Sequence, residues 1–82
     1  MKYFVYILRS KKDSSFYIGY TKDLERRIRE HNETRSKFSA RKSPWELFYY
    51  EEFSDKGDAI RREKFLKKQK NRAFYERLRN NK

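Results

Sequence analysis

Residues 2–9, KYFVYILR, are β-branched and aromatic and carry apolar side chains at odd and even positions alike. They read as a strand with two apolar faces. The polar stretch SKKDSS, 10–15, turns the chain, and FYIGY, 16–20, follows as a second strand, so the two form an antiparallel hairpin. Alternation sorts that hairpin. With Tyr6 and Tyr17 on one face, Phe4, Leu8 and Gly19 join them, while Tyr3, Val5, Ile7, Phe16 and Ile18 line the other. The second set is the cleaner hydrophobic face. Gly19 leaves the first face open beside Tyr17, where a phosphate could approach backbone and side chains.

A helix is expected over 22–32, with Thr21 able to cap it, Asp23 in its first turn, and Leu24 and Ile28 as a narrow apolar stripe. Residues 33–44 form a basic loop closed by the chain's one proline, and WELFYYEEF, 45–53, is a third strand. Ser54 or Asp55 caps a second helix that runs to near Lys70. Asn71 caps a last short helix carrying Phe74 and Leu78. The order is β-β-α-β-α-α, an α+β fold with a small three-stranded, at least partly antiparallel sheet and helices packed on it. At 82 residues this is one domain, with a core over about 2–70 and the short helix over about 72–79.

Charge is the strongest global signal. Lys+Arg 23 against Asp+Glu 12 gives a formal +11. Such an excess on so small a body implies an anionic partner, most often nucleic acid. A basic solubility surface is the plain alternative. No run is apolar enough for a signal peptide or a membrane span, so a cytoplasmic protein with no membrane partner is expected. With no cysteine, disulfides and thiolate metal sites are excluded, and any metal would take oxygen ligands with at most one imidazole.

Several residues sit awkwardly in an ordinary core. On the first helix Arg27 falls about 60° and His31 about 20° from Leu24, whereas Arg26, Arg29 and Glu30 point away. On the second helix Ala59, Ile60 and Leu66 define an inward stripe whose centre falls on Glu63. A carboxylate there is costly unless paired or bound to a cation. Each residue has a plain reading: Tyr6 and Tyr17 as core aromatics, Glu63 in a salt bridge with Arg27, His31 as a structural histidine. Together they make the kind of cluster that handles a phosphodiester. The loop cations Arg35, Lys37, Arg41 and Lys42, and Lys67 and Lys68 on the second helix, could track a phosphate backbone or stand as solvated surface.

These pieces resemble the GIY-YIG nuclease domain, most closely its short, single-domain UPF0213-like members. The first half-motif is Val5-Tyr6-Ile7, without the leading glycine, and the second is Tyr17-Ile18-Gly19. TKDLERRIREH matches the family's helix with its arginine on Arg27 and a frequent histidine on His31, and DAIRREKFLKK matches the second helix with the motif glutamate on Glu63. The family's downstream asparagine has Asn71 as its nearest candidate. The resemblance implies metal-dependent hydrolysis of nucleic acid, DNA ahead of RNA, with Mg²⁺ or Mn²⁺ on Glu63. It implies Arg27 on the phosphoryl group, Tyr6 or Tyr17 helping to activate the attacking water, with Tyr6 favoured as base and Tyr17 as positioner, and His31 orienting water or a phosphate oxygen. A tyrosine of ordinary pKa, about 10, needs nearby positive charge for that task. A basic nucleic-acid-binding module without turnover is the alternative.

Overall fold

The computed structural model of the protein describes residues 1–33 and 44–80. Strand β1 (Tyr3–Ser10) lies between β2 (Phe16–Thr21) and β3 (Trp45–Phe53), and both pairings are antiparallel. Helices α1 (Leu24–Asn32), α2 (Lys56–Gln69) and α3 (Arg72–Asn80) complete the order β-β-α-β-α-α expected from the sequence. Among the described residues no helix is long and apolar enough to cross a membrane.

The two apolar faces of β1 explain its central place. Val5 and Ile7 face α2 and α3, in a cluster with Ile18, Phe48, Ala59, Leu66 and Tyr75. Tyr6 and Leu8 face α1, packed with Trp45 and the half-buried Tyr17, Leu24 and Ile28. The hairpin register puts Tyr6 opposite Gly19 and Leu8 opposite Tyr17, so the alternation read from the sequence holds.

Alternation fails once, in β3. Ile7 pairs with Tyr49 and Leu8 with Leu47, which leaves Phe48 as an extra residue in a bulge. Phe48 and Tyr49 therefore both turn toward the α2–α3 layer. The residues before the bulge are re-phased by one position, and Trp45 lands on the α1 face.

Helix ends follow side-chain chemistry. The cap of α1 is Asp23, whose carboxylate accepts from Arg26 N at 3.1 Å. Thr21 instead holds the approach, its hydroxyl accepting from Asp23 N at 3.1 Å, so α1 starts at Leu24 rather than at residue 22. Asp55 caps α2, accepting from Gly57 N at 3.1 Å. Lys70 closes α2 in the left-handed region, φ 45°, and turns the chain into α3. Tyr75 locks that corner: its hydroxyl donates to Leu66 O at 2.7 Å and accepts from Lys70 N at 3.2 Å. Asn71 Oδ1 caps α3 by accepting from Phe74 N at 3.3 Å.

Candidate active site

The site is assembled on the α1 face around one hydroxyl. Tyr6 is 1% exposed, and its ring crosses beneath Gly19 on the neighbouring strand. A Cβ at Gly19 would lie 2.6 Å from the Tyr6 hydroxyl and 2.9 Å from Cζ. The space expected to admit a phosphate is therefore filled by Tyr6 itself. Glycine is required there for close approach between side chain and backbone.

Two residues of α1 reach the same hydroxyl. Arg27 Nε donates to Tyr6 Oη at 3.2 Å, and Tyr6 Oη lies 3.3 Å from His31 Nε2. One helical turn separates Arg27 from His31, which is why both arrive at one point. Burial, then the Arg27 charge, pushes His31 below its ordinary value, so the imidazole is neutral at pH 7. With Arg27 already donating to Tyr6, the partners assign the Tyr6 proton to the bond with His31 Nε2, leaving the imidazole proton on Nδ1. Burial pushes the Tyr6 hydroxyl above its usual range, Arg27 offsets part of that, and negative charge at Tyr17 or Glu63 adds to it.

Tyr17 stands beside this hub with a different freedom. Its ring is stacked on Tyr6, centroids 6.4 Å apart, and edge-on to His31 at 4.5 Å. It is only half-buried, and its hydroxyl has no hydrogen-bond partner among the described residues. Trp45 closes the wall, 6.0 Å from Tyr17 and 6.1 Å from His31 by centroid. Asn32 fixes that wall to α1: its amide nitrogen donates to Trp45 O at 3.1 Å and its oxygen accepts from Trp45 N.

Arg27 and Glu63 do not form the salt bridge that was one reading of their inward aim. Arg27 Nη1 donates to Glu30 Oε1 at 3.3 Å, and Glu30 also pairs with Arg26 at 3.1 Å. Glu30 was expected to point away; both arginines bring it back to the edge of the site. The second guanidinium nitrogen of Arg27, Nη2, has no partner among the described residues, and the side chain is 43% exposed. The hydrogen bond that Arg27 donates to Tyr6 raises the Arg27 pKa further, so its charge is permanent.

Glu63 comes from the opposite layer. Its side chain is 14% exposed and pairs with Lys67 Nζ at 3.4 Å, one turn along α2. No bond joins it to the hub, but its charge acts on Tyr6. Among the described residues no three His, Asp or Glu side chains gather as a metal cage. One shielded carboxylate still fits a hard cation such as Mg²⁺, which commonly keeps several waters and takes one or two carboxylates plus substrate phosphate.

The remaining expected contacts divide. Lys67 and Lys68 are exposed in the last turn of α2. Arg35, Lys37, Arg41 and Lys42 lie outside the described residues. Asn71, the candidate for the family's asparagine, uses its side-chain oxygen as a helix cap. Trp45, Asn32 and Glu30 were missed. For Trp45 a signal was present: Phe48 and Tyr49 are adjacent bulky aromatics, and an unbroken strand would send them to opposite faces.

The GIY-YIG catalytic domain model matches residues 2–79. The chain is 37% identical over 84 residues to UPF0213 protein YazA of Bacillus subtilis, covering 98% of this chain and 84% of that protein. A UPF0213 protein of Staphylococcus haemolyticus is 43% identical over 67 residues, with 80% of each chain covered. The solution NMR structure of UPF0213 protein BH0048 from Bacillus halodurans superposes with a TM-score of 0.59 at 35% identity, covering 100% of this chain and 86% of that one. The chain belongs to the GIY-YIG family, whose domain is of nuclease type. Within that family it is of the UPF0213 type.

Proposed function

We propose that this protein hydrolyses phosphodiester bonds in nucleic acid, with DNA the first candidate, in a reaction that uses a divalent cation. The observation that carries the reading is the state of Arg27. Its guanidinium is anchored through Nε to a buried tyrosine, while Nη2 is left open at the surface of the site. A cation held in one orientation with a free donor is suited to a phosphoryl group whose charge grows in the transition state.

The tyrosines take roles opposite to those the resemblance implied. Tyr6 is buried, bonded on two sides and shifted away from ionisation, so it serves as the positioning residue for Arg27 and His31. Tyr17 has the free hydroxyl and the exposure to hold the attacking water. Neutral His31 keeps Tyr6 oriented and its ring supports the Tyr17 ring. Glu63 would hold Mg²⁺ or Mn²⁺ once Lys67 swings aside, and such a cation, when bound, supplies Lewis-acid polarisation of a phosphate oxygen.

The test is Glu63→Gln, which keeps shape and removes the charge a hard cation needs. Metal-dependent cleavage of labelled oligonucleotides should fall by roughly two or more orders of magnitude, since Lewis-acid stabilisation is worth several kcal/mol. Binding in EDTA should be retained, because it rests on dispersed cations. Undiminished cleavage by the folded variant would remove Glu63 from the reaction.

A further inference from the structure

An open groove of about 570 Å³ runs along the outer edge of β2 where that strand meets the α2–α3 corner. Its volume is within the range of about 300–1,000 Å³ typical of clefts that hold small ligands. Phe16 and Tyr17 line it from the strand, and Lys67, Lys70 and Arg72 from the corner; among the described residues no carboxylate lines it.

Several cations elsewhere on the molecule are held by carboxylates. Arg26 and Arg27 are paired to Glu30, Arg61 to Asp58, and Arg62 to Glu51. In the groove, Lys70 is exposed and has no ion pair among the described residues. Arg72 is held without a carboxylate: its guanidinium lies 5.4 Å from the centroid of Phe16, and Nη2 donates to Ser14 O at 3.3 Å. Lys67 alone has an anionic partner, and that partner is Glu63. Lys70 and Arg72, two cations without a carboxylate partner beside Lys67, are a standing attraction for an anion.

The groove is also continuous with the candidate active site. Tyr17 belongs to both, edge-on to His31 on one side and part of the groove wall on the other. Lys67 links the wall to the Glu63 carboxylate.

We propose that this groove takes one nucleotide of the strand flanking the scissile phosphate, with its backbone phosphate on Lys70 and Arg72 and its base against Phe16 and Tyr17. Aromatic side chains beside a cationic track are the recurring means of holding a single strand without reading its sequence. The inference rests on the phosphodiesterase reading of the adjoining site. It adds where the strand leaves that site, and it places the contact on a backbone shared by DNA and RNA.

The test measures binding of the whole chain in EDTA to short single-stranded DNA and RNA oligonucleotides of matched sequence, over a series of salt concentrations. Lys70→Gln and Arg72→Gln are compared with Lys2→Gln, a cation at the other end of β1 that pairs with Glu52. Each groove variant should weaken binding for every sequence and reduce the salt slope by about 0.7 per lost contact, while Lys2→Gln changes neither. Loss with only one of the two nucleic acids still supports the groove and narrows the strand it takes. Arg72 packs on Phe16, so melting temperatures are recorded, and the exposed Lys70 decides the matter if Arg72→Gln unfolds. Wild-type affinity and slope in folded Lys70→Gln would overturn the groove, and so would an equal loss in Lys2→Gln. Cleavage assays on the same preparations keep the two readings separate. A groove that fails beside a Glu63-dependent cleavage leaves the hydrolytic reading intact; a groove that binds in a protein that never cleaves leaves only the strand-binding part standing.

Discussion

On one face of the sheet Ile7, Ala59 and Leu66 are fully buried among carbon atoms; on the other, Tyr6 and His31 are 1% and 6% exposed and spend their polar atoms on each other. Equal burial serves different ends. The α2–α3 face is held by apolar contact, which is non-directional and roughly proportional to area. The α1 face depends on a hydrogen-bonded hub, in which each polar group must keep its partner because an orphaned one is costly. The first face makes the domain stable, and the second makes one arginine point in one direction.

The largest expected effect breaks the comparison on its apolar side. Leu66→Ala should cost about 2–5 kcal/mol, because Leu66 is closely surrounded and leaves a cavity. In thermal unfolding this is a drop of roughly 10 °C or more for a chain of this size. Cleavage per folded molecule at low temperature should change little. A loss of activity larger than the loss of folded protein would mean the two faces are coupled.

Gly19→Ala tests the polar face. The new methyl meets the Tyr6 hydroxyl and ring, which are buried and cannot swing clear. Overpacking of this kind costs about 1–3 kcal/mol. The more telling result is a disproportionate fall in activity, since moving Tyr6 breaks its bond with Arg27. Wild-type cleavage together with an unchanged melting temperature would show that the Tyr6–Gly19 fit is looser than its distances imply.

The smallest effect is a pH dependence carried by His31. Its folded value lies below the ordinary 6.5, through burial first and then Arg27. Above about pH 6.5 both folded and unfolded states hold a neutral imidazole and stability is full. As pH falls below that, the unfolded chain takes up the proton first, and stability declines until the folded pKa is passed. Melting scans between about pH 7 and 5, above the range where most carboxylates titrate, should show this decline, and His31→Phe should flatten it. A flat profile in the wild type would mean that His31 is protonated in place.

Much of this arrangement was legible in the sequence because two simple periodicities governed it. Two-residue alternation sorted Tyr6 from Ile7 and Tyr17 from Ile18, and the helical wheel aimed Arg27, His31 and Glu63 inward. Partners were less legible, since a wheel gives direction without distance. Arg27 and Glu63 both point inward yet bond to Tyr6 and Lys67, on opposite layers of the sheet. Gly19 was read as an opening because its missing side chain is visible in sequence, whereas the Tyr6 ring that fills the gap is known only from register. Trp45 was hidden by the bulge at Phe48, which shifts the alternation before it by one residue. The caps were a near miss of the same kind. Thr21 and Asp23 are both good cap residues, and their mutual hydrogen bond decides which one acts.

The central position of β1 has a consequence for how the chain comes together in time. The apolar face of β1 that carries Val5 and Ile7 is completed by Leu66 and Tyr75, far along the sequence from it. During synthesis β1 can pair early with β2, but the face that carries Val5, Ile7 and Ile18 is not covered until α2 and α3 have emerged. Contacts this distant in sequence require closure of a long loop before they return any stabilisation, which slows folding. The early hairpin must therefore wait, with Val5, Ile7 and Ile18 exposed, for helices that follow β3 in the chain.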